Sequence, residues 1–290
     1  MGLLIYIDGK FVDEKQAKIS VFDHGLLYGD GIFEGLRTYS GEVFRLGQHI
    51  QRLYKSAKAI FLEIPISKDK MAEVIKATVR KNKLKDSYIR VVVTRGKGDL
   101  GLDPRKCSNP TVIVIASKIE LYPEEYYRNG LSVVTIATRR NLIESLNPAV
   151  KSLNYLNNIL GKIEATNAGA MEGLFLNNEG YVTECSGENI FIISGNFLCT
   201  PPISAGALDG ITRDAVIQIG KTVGLDVSEK LLTRYDLYNA DECFLTGTAA
   251  EIVPVTLIDG RTIGNGKSGI LTCKIRKEFH NLVLKEGTPI

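Results

Sequence analysis

The chain has 290 residues, room for two domains at the usual size of roughly 150 residues each. Hydrophobic residues make up 44% and charged residues 24%, and no apolar run reaches bilayer length, which argues against disorder and against a membrane span. The 36 Lys and Arg against 33 Asp and Glu leave a net charge of +3, too small and too dispersed for a nucleic-acid partner, so small and partly anionic ligands are expected.

The opening MGLLIYIDGK turns polar at once and reads as a strand entering a turn, with no export or anchoring signal visible. Leu3 to Ile7 and Phe11 to Val12 flank Asp8-Gly9, a dipeptide that favours the left-handed turn of a tight hairpin. A second hairpin is predicted from GIFEGLRTY, the turn Ser40-Gly41 and EVFRL, after which Leu46, Ile50, Leu53, Ala57, Ile60 and Phe61 recur at helical spacing. A helix capped at Ser67 and running to about Lys81 comes next, then the strands YIRVVVTRG and PTVIVIAS, joined by a Gly- and Asp-rich loop.

Residues 1–118 thus form a small α+β domain. KIELYPEEYYRNG has neither period and places an interdomain linker at 119–130. The larger domain, 131–290, is richer in strands: LSVVTIAT, GLFLN, GYVTE, NIFII and NFLCT. Its helices are predicted over about 154–167, from Thr212 to about Val223, and from about Ser268 to Leu284.

Several features admit two readings. GKGDLG, Gly96 to Gly101, matches the dinucleotide pattern, but a strand follows where that fold needs a helix, so it reads as a hairpin loop. The three histidines are scattered, His24 reads as a packing or turn residue, and no metal site is expected. Cys107, Cys185, Cys199, Cys243 and Cys273 are odd in number and form no C-x-x-C pair, which argues against a disulfide framework and for the reducing cytoplasm. In GITRD, Thr212 is a good N-cap ahead of a helix whose amides could hold a phosphate, and an ordinary capped helix explains it equally. Lys151 sits between apolar residues just before a helix: it reads as a desolvated, Schiff-base-forming lysine or as a structural one with its stem over apolar surface. Glu184 and Arg52 read as solvated charges unless other residues give them a task.

Taken in order, YGDGIFEGLR, HIQRL, YIR, KSLNYL, TECSGENIF, GITRD and GTAAEIVPV resemble the branched-chain aminotransferases of the fold-type IV pyridoxal-phosphate enzymes, over essentially the whole chain. The resemblance implies a two-domain fold-type IV architecture and pyridoxal 5′-phosphate as cofactor. It implies that Lys151 carries the cofactor covalently and moves a proton between the substrate Cα and the cofactor. Glu184 would meet the pyridine nitrogen and Tyr155 the phenolic oxygen, while Arg52, the amides around Ile211 and Thr212, and Thr248 would hold the phosphate. The substrate α-carboxylate would meet Tyr88 and the turn amides at Thr248 and Ala249. Phe33, Tyr28 and Gly35 would shape the side-chain pocket, Arg90 would receive the second carboxylate of glutamate, and the loop over Leu100 and Leu102 would reach a neighbouring subunit's site.

The implied reaction is reversible transfer of the amino group of leucine, isoleucine and valine to 2-oxoglutarate, in a homodimer or higher homo-oligomer. Val91 stands where proline is frequent after YIR, and KSLN replaces a glycine-rich sequence. KSLN and VTRG are also similar to D-amino acid aminotransferases, but no histidine of the kind those enzymes use to trap the carboxylate follows Arg95.

Overall fold

In the computed structural model, which describes residues 2–118 and 122–290, Asp8 and Gly9 take φ of 45° and 89°. Successive left-handed residues match the twist of antiparallel strands. They join β1 (Leu4–Ile7) to β2 (Lys10–Asp13), with Ile7 opposite Lys10. Ser40 and Gly41 repeat the device at 52° and 87°, between β3 (Gly31–Tyr39) and β4 (Glu42–Phe44). Both predicted hairpins are present.

After a short helix, α1 (His24–Tyr28), α2 (Leu46–Ala59) and α3 (Lys68–Lys81) follow the predicted spacing. The Ser67 side chain accepts from the Lys70 amide and caps α3. Leu46, Ile50, Leu53 and Ala57 are buried along α2 and Ile60 packs partly buried against the same core, but Phe61 does not continue that stripe. Phe61 is 91% exposed at φ 52°. The helix stops because the Arg95 guanidinium takes the carbonyls of Ile60 and Phe61, at 2.7 and 2.6 Å.

β5 (Ser87–Thr94) and β6 (Thr111–Ser117) complete a seven-stranded sheet in the order C-terminal strand Gly287–Pro289, β4, β3, β5, β6, β1, β2. Strand alternation turns Ile32, Leu36, Ile89, Val91, Val93, Val112 and Val114 into one core with Leu53, Met71 and Ile75 of the helices. On β3, β4 reaches only Thr38 and Tyr39, so another segment can add to β3 nearer its start. Residues 151–153 do so: the Phe33 amide donates to the Lys151 carbonyl at 2.9 Å, the Leu153 amide to the Gly31 carbonyl at 2.9 Å, and Ser152 stands opposite Ile32.

The chain therefore does not divide at a single cut. One unit comprises residues 1–119, 150–154 and 283–290, and the other 120–149 and 155–282. Residues 119–121 of the predicted linker lie outside the described residues. The rest of that stretch is part of the second unit's packing, with Tyr122 buried and α4 (Glu124–Asn129) starting after Pro123 and placing Tyr126 and Tyr127 against the core. A proline ahead of two acidic residues suits a helix start, and a helix of six residues is too short to show a period in the sequence.

The second unit is built on β7 (Leu131–Thr135), β8 (Glu172–Leu176), β9 (Val182–Cys185), β10 (Asn189–Ser194), β11 (Phe197–Thr200), β12 (Asp226–Glu229), β13 (Glu242–Gly247), β14 (Glu251–Ile258) and β15 (Arg261–Thr262). They form a nine-stranded mixed sheet in the order β12, β11, β10, β13, β14, β7, β8, β9, with β15 on β14. α5 (Leu156–Asn167) lies between the parallel strands β7 and β8 in the chain. α6 (Ile211–Thr222), α7 (Arg234–Tyr238) and α8 (Ile270–Val283) complete the α-helices of the described residues. Thr212 is not the N-cap of α6: Gly210 holds that position and makes no side-chain cap, while Thr212 is buried in the first turn.

Candidate active site

In the first unit, β3 presents different chemistry on its two faces. Ile32, Glu34 and Leu36 turn toward α2, whereas Phe33 and Gly35 turn the other way. On the latter face the Lys151 ammonium lies 4.4 Å from the centre of the Phe33 ring, and the Arg90 guanidinium 4.6 Å from the same ring. Arg90 also donates to the Tyr88 hydroxyl at 3.0 Å. That hydroxyl lies across Gly35, where a Cβ would come within 2.1 Å of it. The fold thus brings Lys151, Phe33, Gly35, Tyr88 and Arg90 together. Lys151 itself is half-buried, with its amide donating to Ser56 Oγ at 3.2 Å.

Behind β3, α2 supplies His49, Arg52 and Ser56 in one row, at i, i+3 and i+7. Arg52 grips the buried Glu34 carboxylate with Nε and Nη2, at 2.6 and 2.9 Å, and His49 Nδ1 adds a third contact at 2.8 Å. Burial alone would raise the Glu34 carboxyl, but the Arg52 charge and the His49 and Arg52 hydrogen bonds bring it down to about 2. Burial outweighs Glu34 at His49 and holds the imidazole below its usual range. Sequence reasoning missed Glu34, His49 and Ser56. The row on α2 was their only signal, and it has no meaning until β3 is placed against it.

Tyr28 and Leu102 belong to the surface of this unit. The Tyr28 hydroxyl donates to the Leu100 carbonyl at 2.6 Å, and Leu102 is 77% exposed. The loop from Gly96 to Gly101 connects β5 toward β6 and opens no α-helix, so the dinucleotide reading falls. His24 is buried, with Nε2 2.8 Å from the Asp99 carbonyl, a packing role as expected. Arg95 forks onto Asp30 at 2.9 and 2.9 Å besides closing α2, a structural task that leaves it unsuited to trapping a substrate carboxylate.

In the second unit Glu184 is only 5% exposed, so the solvated reading does not hold. Arg140 Nη2 donates to Oε1 at 2.5 Å, while Asn189 Nδ2 and the Leu208 amide donate to Oε2 at 3.2 and 2.9 Å. Arg140, missed in the sequence, is itself held by Asn158 at 2.9 Å and by the Gly206 carbonyl at 3.3 Å. Asn189 also donates to the Leu208 carbonyl at 2.9 Å and touches Gly210, where a Cβ would lie 2.1 Å from its oxygen. One asparagine on β10 therefore links Glu184 to the start of α6, where Ile211 and Thr212 lie.

Thr248 and Ala249 form the turn between β13 and β14, which ends on Glu251 at φ 57°. His280 Nε2 lies 2.8 Å from Glu251, and the Tyr127 hydroxyl donates to the Ala250 carbonyl at 3.1 Å, so the turn is held where it enters β14. Tyr155 occupies the cap position of α5.

Next to this region lies a buried acid pair. Glu172 accepts from Lys162 and Ser186, and the Tyr122 hydroxyl stands 3.3 Å from an oxygen of both Glu172 and Glu188. Burial, and then the Glu172 charge, push the Glu188 carboxyl up to about 8. It holds its proton at neutral pH.

Residues 31–258 match the family model for amino-transferase class IV. A Methanocaldococcus jannaschii protein that carries the name branched-chain-amino-acid aminotransferase provisionally is 53% identical, over 99% of this chain and 98% of its own. The crystal structure of the Escherichia coli branched-chain amino acid aminotransferase superposes with a TM-score of 0.95 at 37% identity, covering 99% of this chain and 96% of that one. The branched-chain amino acid aminotransferase of Thermobaculum terrenum, in its PLP-bound holo-form, gives 0.89 at 28% identity, covering 98% and 95%.

The raised Glu188 value makes stability depend on pH. With a folded value of about 8 against an ordinary 4.5, the folded chain holds this proton more tightly, so its stabilisation is complete below 4.5 and is lost as pH rises through about 8. Glu188→Gln mimics the protonated acid, and its thermal midpoint should therefore gain on the parent protein as pH rises through that window. A constant difference between the two midpoints would show that Glu188 is not the group titrating.

Proposed function

This chain belongs to the class IV amino-transferase family, and we propose that it exchanges the amino group between branched-chain L-amino acids and 2-oxoglutarate, with pyridoxal 5′-phosphate as cofactor. The observation that carries this reading is the cluster of Lys151, Phe33, Tyr88 and Arg90 around Gly35. It sets a primary amine, an apolar wall and a cation-and-phenol pair on one face of one sheet.

The residues present fit the cofactor. Lys151 offers an amine on a backbone fixed to β3, Glu184 a buried carboxylate held by three donors, and α6 an N-terminus without a side-chain cap. When bound, pyridoxal 5′-phosphate supplies an electron-accepting ring conjugated to the carbon that takes up the amino group. Lys151 would hold the cofactor covalently in the resting enzyme and move the proton at the substrate Cα. Glu184 would face the pyridine nitrogen, held in place for that purpose by Arg140, and Tyr155 would donate to the phenolic oxygen. Arg52, Ile211, Thr212 and Thr248 would share the phosphate.

On the substrate side, the Tyr88 hydroxyl accepts from Arg90 and so keeps its own proton for an α-carboxylate, which would also meet Thr248 and Ala249. Phe33, Gly35 and Tyr28 would bound the side chain, Leu102 would reach the site of a neighbouring subunit, and Arg90 would pair with the second carboxylate of glutamate. The structural tasks of Arg95 favour this reading over a D-amino acid transaminase.

A homodimer or larger homo-oligomer is supported by α5, which exposes Leu156, Ile159, Leu160 and Ile163 at i, i+3, i+4 and i+7, a stripe suited to a second copy. A reducing, cytoplasmic location is supported by five free cysteines.

The purified protein incubated with the cofactor should absorb in the near-visible range, lose that band on borohydride treatment, and lose it in Lys151→Ala. A protein that stays colourless, or that converts with D-alanine faster than with L-leucine, overturns the assignment. Arg90→Ala should lower kcat/KM for glutamate by about tenfold to a hundredfold, the scale of one lost charged hydrogen bond, and should affect leucine much less; equal losses would remove Arg90 from acid recognition. Sedimentation of Ile159→Asp should show a smaller species than the parent protein, and an unchanged size would clear α5 of any interface.

A further inference from the structure

A buried carboxylate beside Arg52 weakens the positive charge that an anion would find there. Glu34 nevertheless occupies that place, 1% exposed, with Arg52 and His49 as its partners. If attraction alone mattered, an apolar residue at position 34 would leave Arg52 with more of its charge. The geometry supplies another reason. Nε and Nη2 of Arg52 meet the two carboxylate oxygens side-on, at 2.6 and 2.9 Å, and such a fork fixes the plane of a guanidinium as well as its position.

His49 braces the acceptor. Glu34 is ionised and can only accept, and burial keeps the imidazole neutral, so the proton between them sits on Nδ1 and is donated to Oε2 at 2.8 Å. The three side chains stand on rigid elements, Glu34 within β3 and the other two a single turn apart on α2. The next residue of that row, Ser56, receives the Lys151 amide. The elements that orient Arg52 thus also seat Lys151.

We propose that Glu34 is a positioning residue for phosphate recognition: it clamps one edge of the Arg52 guanidinium and thereby turns the opposite N–H edge to a phosphoryl group, with His49 locking the clamp. This rests on the reading of Arg52 as a phosphate ligand. Orientation, rather than added charge, is what Glu34 contributes.

The test compares the affinity for pyridoxal 5′-phosphate with that for pyridoxal, which lacks the phosphate, in the full-length protein. Both are titrated by absorbance in the parent protein, Glu34→Gln, Glu34→Asp, Arg52→Met and the double variant Glu34→Gln/Arg52→Met. The parent should prefer the phosphorylated form, and Glu34→Gln should lose about tenfold or more of that preference while binding pyridoxal within about twofold of the parent. Glu34→Asp keeps the charge and shortens the reach, so it should lose the preference too, and it serves if the glutamine variant does not fold. In the Arg52→Met background Glu34→Gln should have no further effect, because it acts only through Arg52.

A full parental preference in Glu34→Asp or Glu34→Gln, or losses that add in the double variant, overturns the proposal. A parent protein that binds pyridoxal as tightly as its phosphate, or an unaffected Arg52→Met, overturns instead the phosphate reading beneath it.

Discussion

The backbone pairing of residues 151–153 with the open edge of β3 is the constraint on which the candidate site depends. Peptide groups at a sheet edge need partners, and β4 is too short to reach Gly31 and Phe33. The segment that answers this need carries Lys151, so the amine is placed by main-chain hydrogen bonds and not by the side chain's own preferences. Register matters for the same reason. A slip by one residue would reverse which side chains meet Phe33, since successive residues of an extended segment point to opposite faces.

That alternation also lets β3 serve two purposes. Phe33 and Gly35 line the face with Tyr88, Arg90 and Lys151, while Glu34 between them is committed to Arg52 and His49. Arg52, Arg95 and Arg140 are each gripped by a carboxylate, from Glu34, Asp30 and Glu184. An ion removed from water is tolerated only with a partner and further hydrogen bonds. In each case those added bonds involve groups far along the chain or on another element, so every pair ties together parts that sequence proximity would not.

The elements with local causes were legible without coordinates. Asp8-Gly9 and Ser40-Gly41 make their hairpins because of which residues accept positive φ, and Ser67 starts its helix with its own hydroxyl. The elements that differed have remote causes. α2 ends where Arg95 takes its last carbonyls, α6 begins at Gly210 beside Asn189, and Glu184 is buried because Arg140 and Asn189 reach it. In the stretch predicted as a linker, Tyr122 turns inward beside two acids that lie 50 and 66 residues further on.

By itself the sequence determined the hairpins, the helix faces and the family, and through ordered motifs it named most of the residues proposed for the site, because these depend on residue type and short spacing. It left Lys151, Glu184 and Arg52 indistinguishable from ordinary surface charges by any local argument. Only the tertiary structure decided their surroundings: the β3 edge under Lys151, the Arg140 contact at Glu184, and the Glu34 clamp on Arg52. The physical reason is that burial and pairing of charge are properties of a packed interior, and the partners come from strands and helices that meet only once the chain has folded.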